Sequence, residues 1–103
     1  GLKEGYRCSI HRHEKDESLY LVKGIVYFEM GEDPENLDSQ IIYPGIVIDV
    51  FDNIWHRFSG LENSIFVEVS TPDEESERYQ GKLGGEILDF ENWRNKILSE
   101  NGR

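Results

Sequence analysis

Apolar and polar residues fall in short runs over the first two thirds of the chain, with turn residues between them. Residues 6–13 read as one strand. Residues 18–30 hold two apolar runs, 19–22 and 25–30, hinged near Lys23 and Gly24. Residues 31–39 carry turn formers and little to bury. Runs at 41–43, 46–51, 55–59 and 64–70 follow, separated by Pro44-Gly45, Asp52-Asn53 and the stretch 60–63. Short strands with turn signals at this spacing predict an all-β sandwich or barrel.

Two of these runs do not alternate. Residues 46–51 and 65–69 are apolar at nearly every position, and a strand of that kind needs cover on both faces. A small barrel covers only the inner one, so a helix or a second subunit must cover the other. The C-terminal segment offers a helix. Asp89 is placed to cap it, Phe90, Trp93, Ile97 and Leu98 form one stripe at helical spacing, and Asn101-Gly102 is a stop. Residues 71–86 are polar and Gly-rich and read as a connecting loop or lid. The expected organisation is a single domain over residues 1–103, with a barrel over about 5–70, a loop over 71–86 and a helix over about 89–100.

Charge narrows the range of partners. The net charge is −10, from 21 acidic and 11 basic residues. Such a surface repels nucleic-acid phosphate and anionic lipid, so neither is an expected partner. No apolar run approaches the ~20 residues needed to span a bilayer. The single cysteine, Cys8, allows no internal disulfide and weakly favours a cytoplasmic setting.

All three histidines enter one scheme. His11 and His13 are two apart in a predicted strand, so both point to one face. Glu17 follows a polar turn and opens the next strand, while His56 lies in a later one. Three imidazoles and a carboxylate suit one divalent transition metal: zinc, manganese, iron, nickel or cobalt. His-x-His alone is weak evidence, because strand histidines are more often hydrogen-bonded core or surface residues. The wider spacing adds to it. Gly5, five residues, His11, one, His13, three, Glu17, six and Gly24 match the first cupin motif at each fixed position. The second motif is degraded. Gly45 and His56 are in register, but Phe51 stands for its Pro, Asn53 for its second Gly and Gly60 for its final Asn. Asn53 is a tolerable replacement, because Asn enters left-handed conformations readily.

The chain therefore resembles the cupins. The resemblance implies a jelly-roll β-barrel, a double-stranded β-helix, with His11, His13, Glu17 and His56 as metal ligands. The stretches from His56 to Asn63 and from Phe66 to Pro72 also resemble mannose-6-phosphate-isomerase-like and lyxose-isomerase-like cupins.

Other side chains follow from alternation. Arg7 and Ser9 share parity with His11 and His13 and should face the same interior, where a guanidinium suits a carboxylate or phosphate. An arginine that reaches solvent or pairs with a carboxylate is the other reading. Tyr6, Cys8 and Ile10 should face outward. Phe58 and Ile54 share parity with His56 and should wall the pocket, with Trp55 outside. Glu68 interrupts an apolar strand. It is the candidate catalytic base if it faces the pocket and an edge glutamate if it does not.

The expected function is metal-dependent action on a small-molecule substrate, a carbohydrate or sugar phosphate, through aldose–ketose isomerisation or epimerisation. A non-catalytic sugar-binding or regulatory module and a mononuclear iron dioxygenase are the alternatives. A homodimer is expected on burial grounds.

Overall fold

The structure, a computed structural model, describes residues 1–71, 76–79 and 84–100. Ten strands and one helix are arranged in chain order as β1 (Tyr6–Arg7), β2 (His11–His13), β3 (Glu17–Lys23), β4 (Val26–Gly31), β5 (Asp38–Ile42), β6 (Val47–Val50), β7 (Trp55–Gly60), β8 (Ile65–Ser70), β9 (Ser76–Arg78), β10 (Gly85–Glu86) and α1 (Phe90–Glu100). All described pairings are antiparallel. In the larger sheet β7 pairs with β4 on one edge, and β4 with β5. On its other edge β7 pairs with β1 and β2, which in turn pair with β10 and β9. The smaller sheet runs β6–β3–β8.

The two sheets face each other across one core. Leu19, Leu21, Ile48 and Val50 from the smaller sheet meet Val26, Phe28, Ile42 and Phe58 from the larger. This is the expected all-β jelly roll with a C-terminal helix. Among the described residues the two sheets do not join into a closed barrel and form an open sandwich.

Asn53 has φ 63, the left-handed conformation expected of it. Its N–H donates to the His13 carbonyl at 2.9 Å, and the N–H of Asp52 donates to Asp16 Oδ1 at 2.8 Å. These bonds tie the turn before β7 to the end of β2, and so place His56 beside His11 and His13.

Three expectations need correction. The strand expected at 6–13 breaks between β1 and β2. Arg7 pairs with Ser59 and His11 with His56, so four steps on one side oppose three on β7. One extra residue is a bulge, which reverses the alternation of side chains across it. Secondly, β5 begins at Asp38, earlier than expected, because Asp38, Ser39 and Gln40 are exposed and carry no burial pattern. Thirdly, the segment expected as loop contributes β9 and β10, too short and polar to show periodicity. Residues 72–75 and 80–83 of that segment, and the expected stop at 101–102, lie outside the described residues.

The helix covers the larger sheet. Trp93 meets the edge of Tyr27 at 5.7 Å, the Arg7 guanidinium lies 5.3 Å from the Trp93 ring centre, and Ile97 is buried. Asp89 accepts the first helical bond, from the Trp93 N–H at 3.1 Å. No described helix is long and apolar enough to cross a membrane. Replacing Trp93 with alanine removes both ring contacts from a half-buried position. It is expected to destabilise the fold by about 2 kcal/mol, read from the shift in a urea melt. A loss below ~0.5 kcal/mol would contradict this docking.

Candidate metal centre

His11 and His56 are direct partners across β2 and β7, so their side chains share the inner face. Their ring centres lie 4.3 Å apart, and His13 lies 4.8 Å from His11 and 5.7 Å from His56. One ligand atom from each ring comes within 4.8 Å of the other two. The rings are tilted or edge-on to one another, so stacking does not account for the cluster.

Hydrogen bonding fixes which nitrogens are available. His11 Nδ1 lies 2.8 Å from the Ser9 carbonyl and His56 Nδ1 lies 2.9 Å from the Ile54 carbonyl. A carbonyl only accepts, so Nδ1 carries the proton in both rings and Nε2 keeps its lone pair. Metal-binding histidines are held in this way.

Glu17 is buried and its Oε1 lies 3.2 Å from His56 Nε2. That nitrogen makes no well-directed hydrogen bond. The two atoms are close but off-line, as suits two donors turned towards a shared third partner. The close group of ligand atoms consists of the three imidazoles, and Glu17 adjoins it through His56. Lys15 Nζ stands 3.8 Å from Glu17 Oε2 and 3.4 Å from Glu68 Oε2.

The electrostatics favour a neutral His11 ring beside an ionised Glu17. The adjacent His56 ring holds the Glu17 pKa down at about 2, with Glu68 and Lys15 adding and burial opposing. Its contribution to stability is complete above pH 4.5 and is lost as the pH falls towards 2. Burial pushes His11 below its ordinary 6.5, helped by His56 and His13 and opposed by the bond to Ser9. Acid must therefore displace a bound ion by protonating imidazole, since Glu17 remains charged. Metal retention in equilibrium dialysis is expected to fall with pH, with its midpoint below 6.5. A midpoint above that value would contradict the assignment of His11 as a neutral ligand.

The structure places the remaining sequence-predicted residues as follows. Arg7 does not face the metal cluster. The bulge turns it to the outer face, over Trp93 and near Arg57 and Glu29. Cys8, expected outside, packs against the core, and the Phe58 N–H donates to its sulfur at 3.2 Å. Burial raises its thiol pKa, which suits an inert side chain. Ser9 lines the cavity beside His11 and His13. Phe58 is buried beneath the cluster, 6.0 Å from the His56 ring, as part of the core floor. Ile54 packs against that core, and Trp55 faces outward onto Tyr79 and Arg12. Glu68 pairs with Leu19, a core residue, so it lies on the inner face at the partly exposed margin.

Two residues near the cluster were not singled out from sequence. Arg78 lies directly opposite His11 on β9 and lines a cavity of about 190 Å³ with Ser9, His11, His13 and Glu77. Nothing in its polar surroundings signalled a strand. Lys15 joins Glu17 and Glu68, and its shared alternation with His13 and Glu17 was the available signal.

Comparison with known proteins identifies the architecture. In sequence, no family model and no curated protein matches the chain. In structure it is similar to Bacillus subtilis oxalate decarboxylase solved at pH 4.6, with TM-score 0.63 and 17% identity over 75% of this chain and 22% of that one. The fold is a cupin. A tryptophan-to-phenylalanine variant of the B. subtilis enzyme gives TM-score 0.59 at 14% identity, covering 97% of this chain and 26% of that chain. A third oxalate decarboxylase structure, concerned with substrate binding and a switch of reaction specificity, gives 0.58 at 15% identity over 99% and 30%. This chain spans 22–30% of the length of these neighbours.

Proposed function

We propose that this cupin binds one divalent metal ion through His11, His13 and His56, with Glu17 as fourth ligand, and acts on a small sugar or sugar phosphate as an aldose–ketose isomerase or epimerase. The convergence of three imidazoles, two of them with Nε2 left bare by backbone bonds, carries this reading. A bound divalent ion supplies Lewis acidity to a carbonyl and its neighbouring hydroxyl. Arg78, at the cavity wall, takes the role expected of Arg7 and holds the substrate's phosphate or carboxylate. Glu68 moves the proton between the two carbons, with Lys15 positioning its carboxylate.

Arg78 also favours a second reading. The structural neighbours are oxalate decarboxylases. A small dicarboxylate would suit a site with a metal on one side and a guanidinium on the other.

One experiment separates the two. Metal-loaded protein is incubated in deuterated water with a panel of aldoses and their phosphates, and separately with oxalate and related diacids. Exchange of the C2 hydrogen, reduced at least tenfold in Arg78→Ala for phosphorylated substrates, supports isomerisation. Release of carbon dioxide supports the second reading. Neither signal from protein with stoichiometric metal would sink both, and ligand binding without turnover would then mark a sugar-binding module. Oxygen uptake by the iron-loaded form would point instead to the dioxygenase.

A further inference from the structure

The smaller sheet has an outer face that nothing among the described residues covers. Tyr20 and Val22 on β3, Val47 on β6, and Ile65, Val67 and Val69 on β8 all point outward and are about half exposed or more. Tyr20 sits opposite both Val47 and Val67, so these side chains form a continuous patch rather than scattered residues. The acidic side chain on this face, Asp49, accepts a hydrogen bond from Ser18 Oγ at 2.6 Å. The larger sheet differs. Its outer face carries Arg7, Glu29 and Arg57 and is covered by α1.

From the fractional exposures, the six side chains present roughly 600 Å² of apolar surface, near the ~800 Å² that each partner buries in a standard interface. A contiguous patch of that size marks an interaction surface. Its chemistry selects the occupant. The chain carries a net charge of −10, so two copies repel unless they meet where charge is nearly absent. This face carries little charge, only Lys23 opposite Ile65 and Asp49 bonded to Ser18, and a largely apolar face is complementary to itself across a two-fold axis.

We infer that the outer face of the β6–β3–β8 sheet is where a second copy of this chain docks, back to back. Val69 at its margin also lines a cleft of about 290 Å³ with Asp16, Glu17 and Phe51. The inference itself does not depend on a metal.

Sedimentation of the full chain from about 1 to about 100 µM tests it. The expected mass is twice the 12.0 kDa of one chain. Val67→Lys is expected to sediment as a monomer, whereas Lys96→Glu, on the helix and outside the face, leaves the dimer unchanged. If Val67→Lys lacks the wild-type circular dichroism spectrum, the milder Val67→Ser decides, with a dimer dissociation constant raised at least tenfold. A wild-type monomer throughout the range, or a folded Val67 variant that keeps the wild-type dimer affinity, overturns the inference.

Discussion

Exchanging His56 for alanine is expected to reduce metal affinity at least 100-fold, so that the purified variant carries no stoichiometric ion. His56 is 1% exposed, donates Nδ1–H to Ile54, and presents Nε2 to Glu17 and to the other two rings. Changing a group that merely orients a ligand typically costs 10–100-fold in affinity, and removing the ligand itself costs more. Elemental analysis after gel filtration gives the stoichiometry, and competition with a chelating dye gives the affinity. Thermal melts provide an independent readout. An ion that binds only the folded state raises the melting temperature, so added metal should stabilise the wild type and leave His56→Ala unmoved. Unchanged ion content and affinity in that variant would remove the basis of the metal reading.

The site was legible where it depended on strand alternation and spacing. His11 and His13 need only sit two apart on a strand to share a face, and the structure brings them to His56. Glu17, four residues beyond His13, opens β3 on the side of the core, in contact with His56. Arg7 was misplaced by the same rule that placed the histidines. Parity carries forward only through an unbroken strand, and the bulge between Arg7 and His11 leaves no mark in residue type. Arg78 was missed for the complementary reason. It reaches the cavity because β9 pairs with β2, bringing Arg78 opposite His11 from 67 positions away, and a three-residue polar strand has no periodicity to read. In the fold, the doubly apolar runs called for an outer cover that the described residues do not supply, and sequence could not say which sheet the helix would take. It covers the larger one, while β6 and β8, whose runs raised the question, remain exposed.

Gly24→Ala is expected to destabilise the protein by about 3 kcal/mol or more, from two effects that add. Gly24 joins β3 to β4 with φ 95, a left-handed conformation in which a Cβ costs roughly 1–2 kcal/mol. A Cβ there would also run into the Asn63 carbonyl and Ser64 Oγ, and would lie 2.7 Å from Ser64 Cα. Those neighbours are fixed. Ser64 is 3% exposed, exchanges two backbone hydrogen bonds of 2.8 Å with Leu2, and donates its hydroxyl to the Glu62 carbonyl at 2.8 Å. Forced overpacking of this kind costs typically 1–3 kcal/mol. Gly45→Ala isolates the backbone effect, because Gly45 has the same φ of 95 but nothing within 4 Å of an added Cβ. That variant should lose only about 1–2 kcal/mol in a urea melt. Equal losses from the two substitutions would mean that the Gly24 turn does not press on Asn63 and Ser64. The consequence reaches the metal centre, because β3 and β4 leave this turn carrying Glu17 and the strand that pairs with β7 along its length. The last glycine of the first motif thus acts on the ligands through packing of the chain, at the end of β3 opposite Glu17.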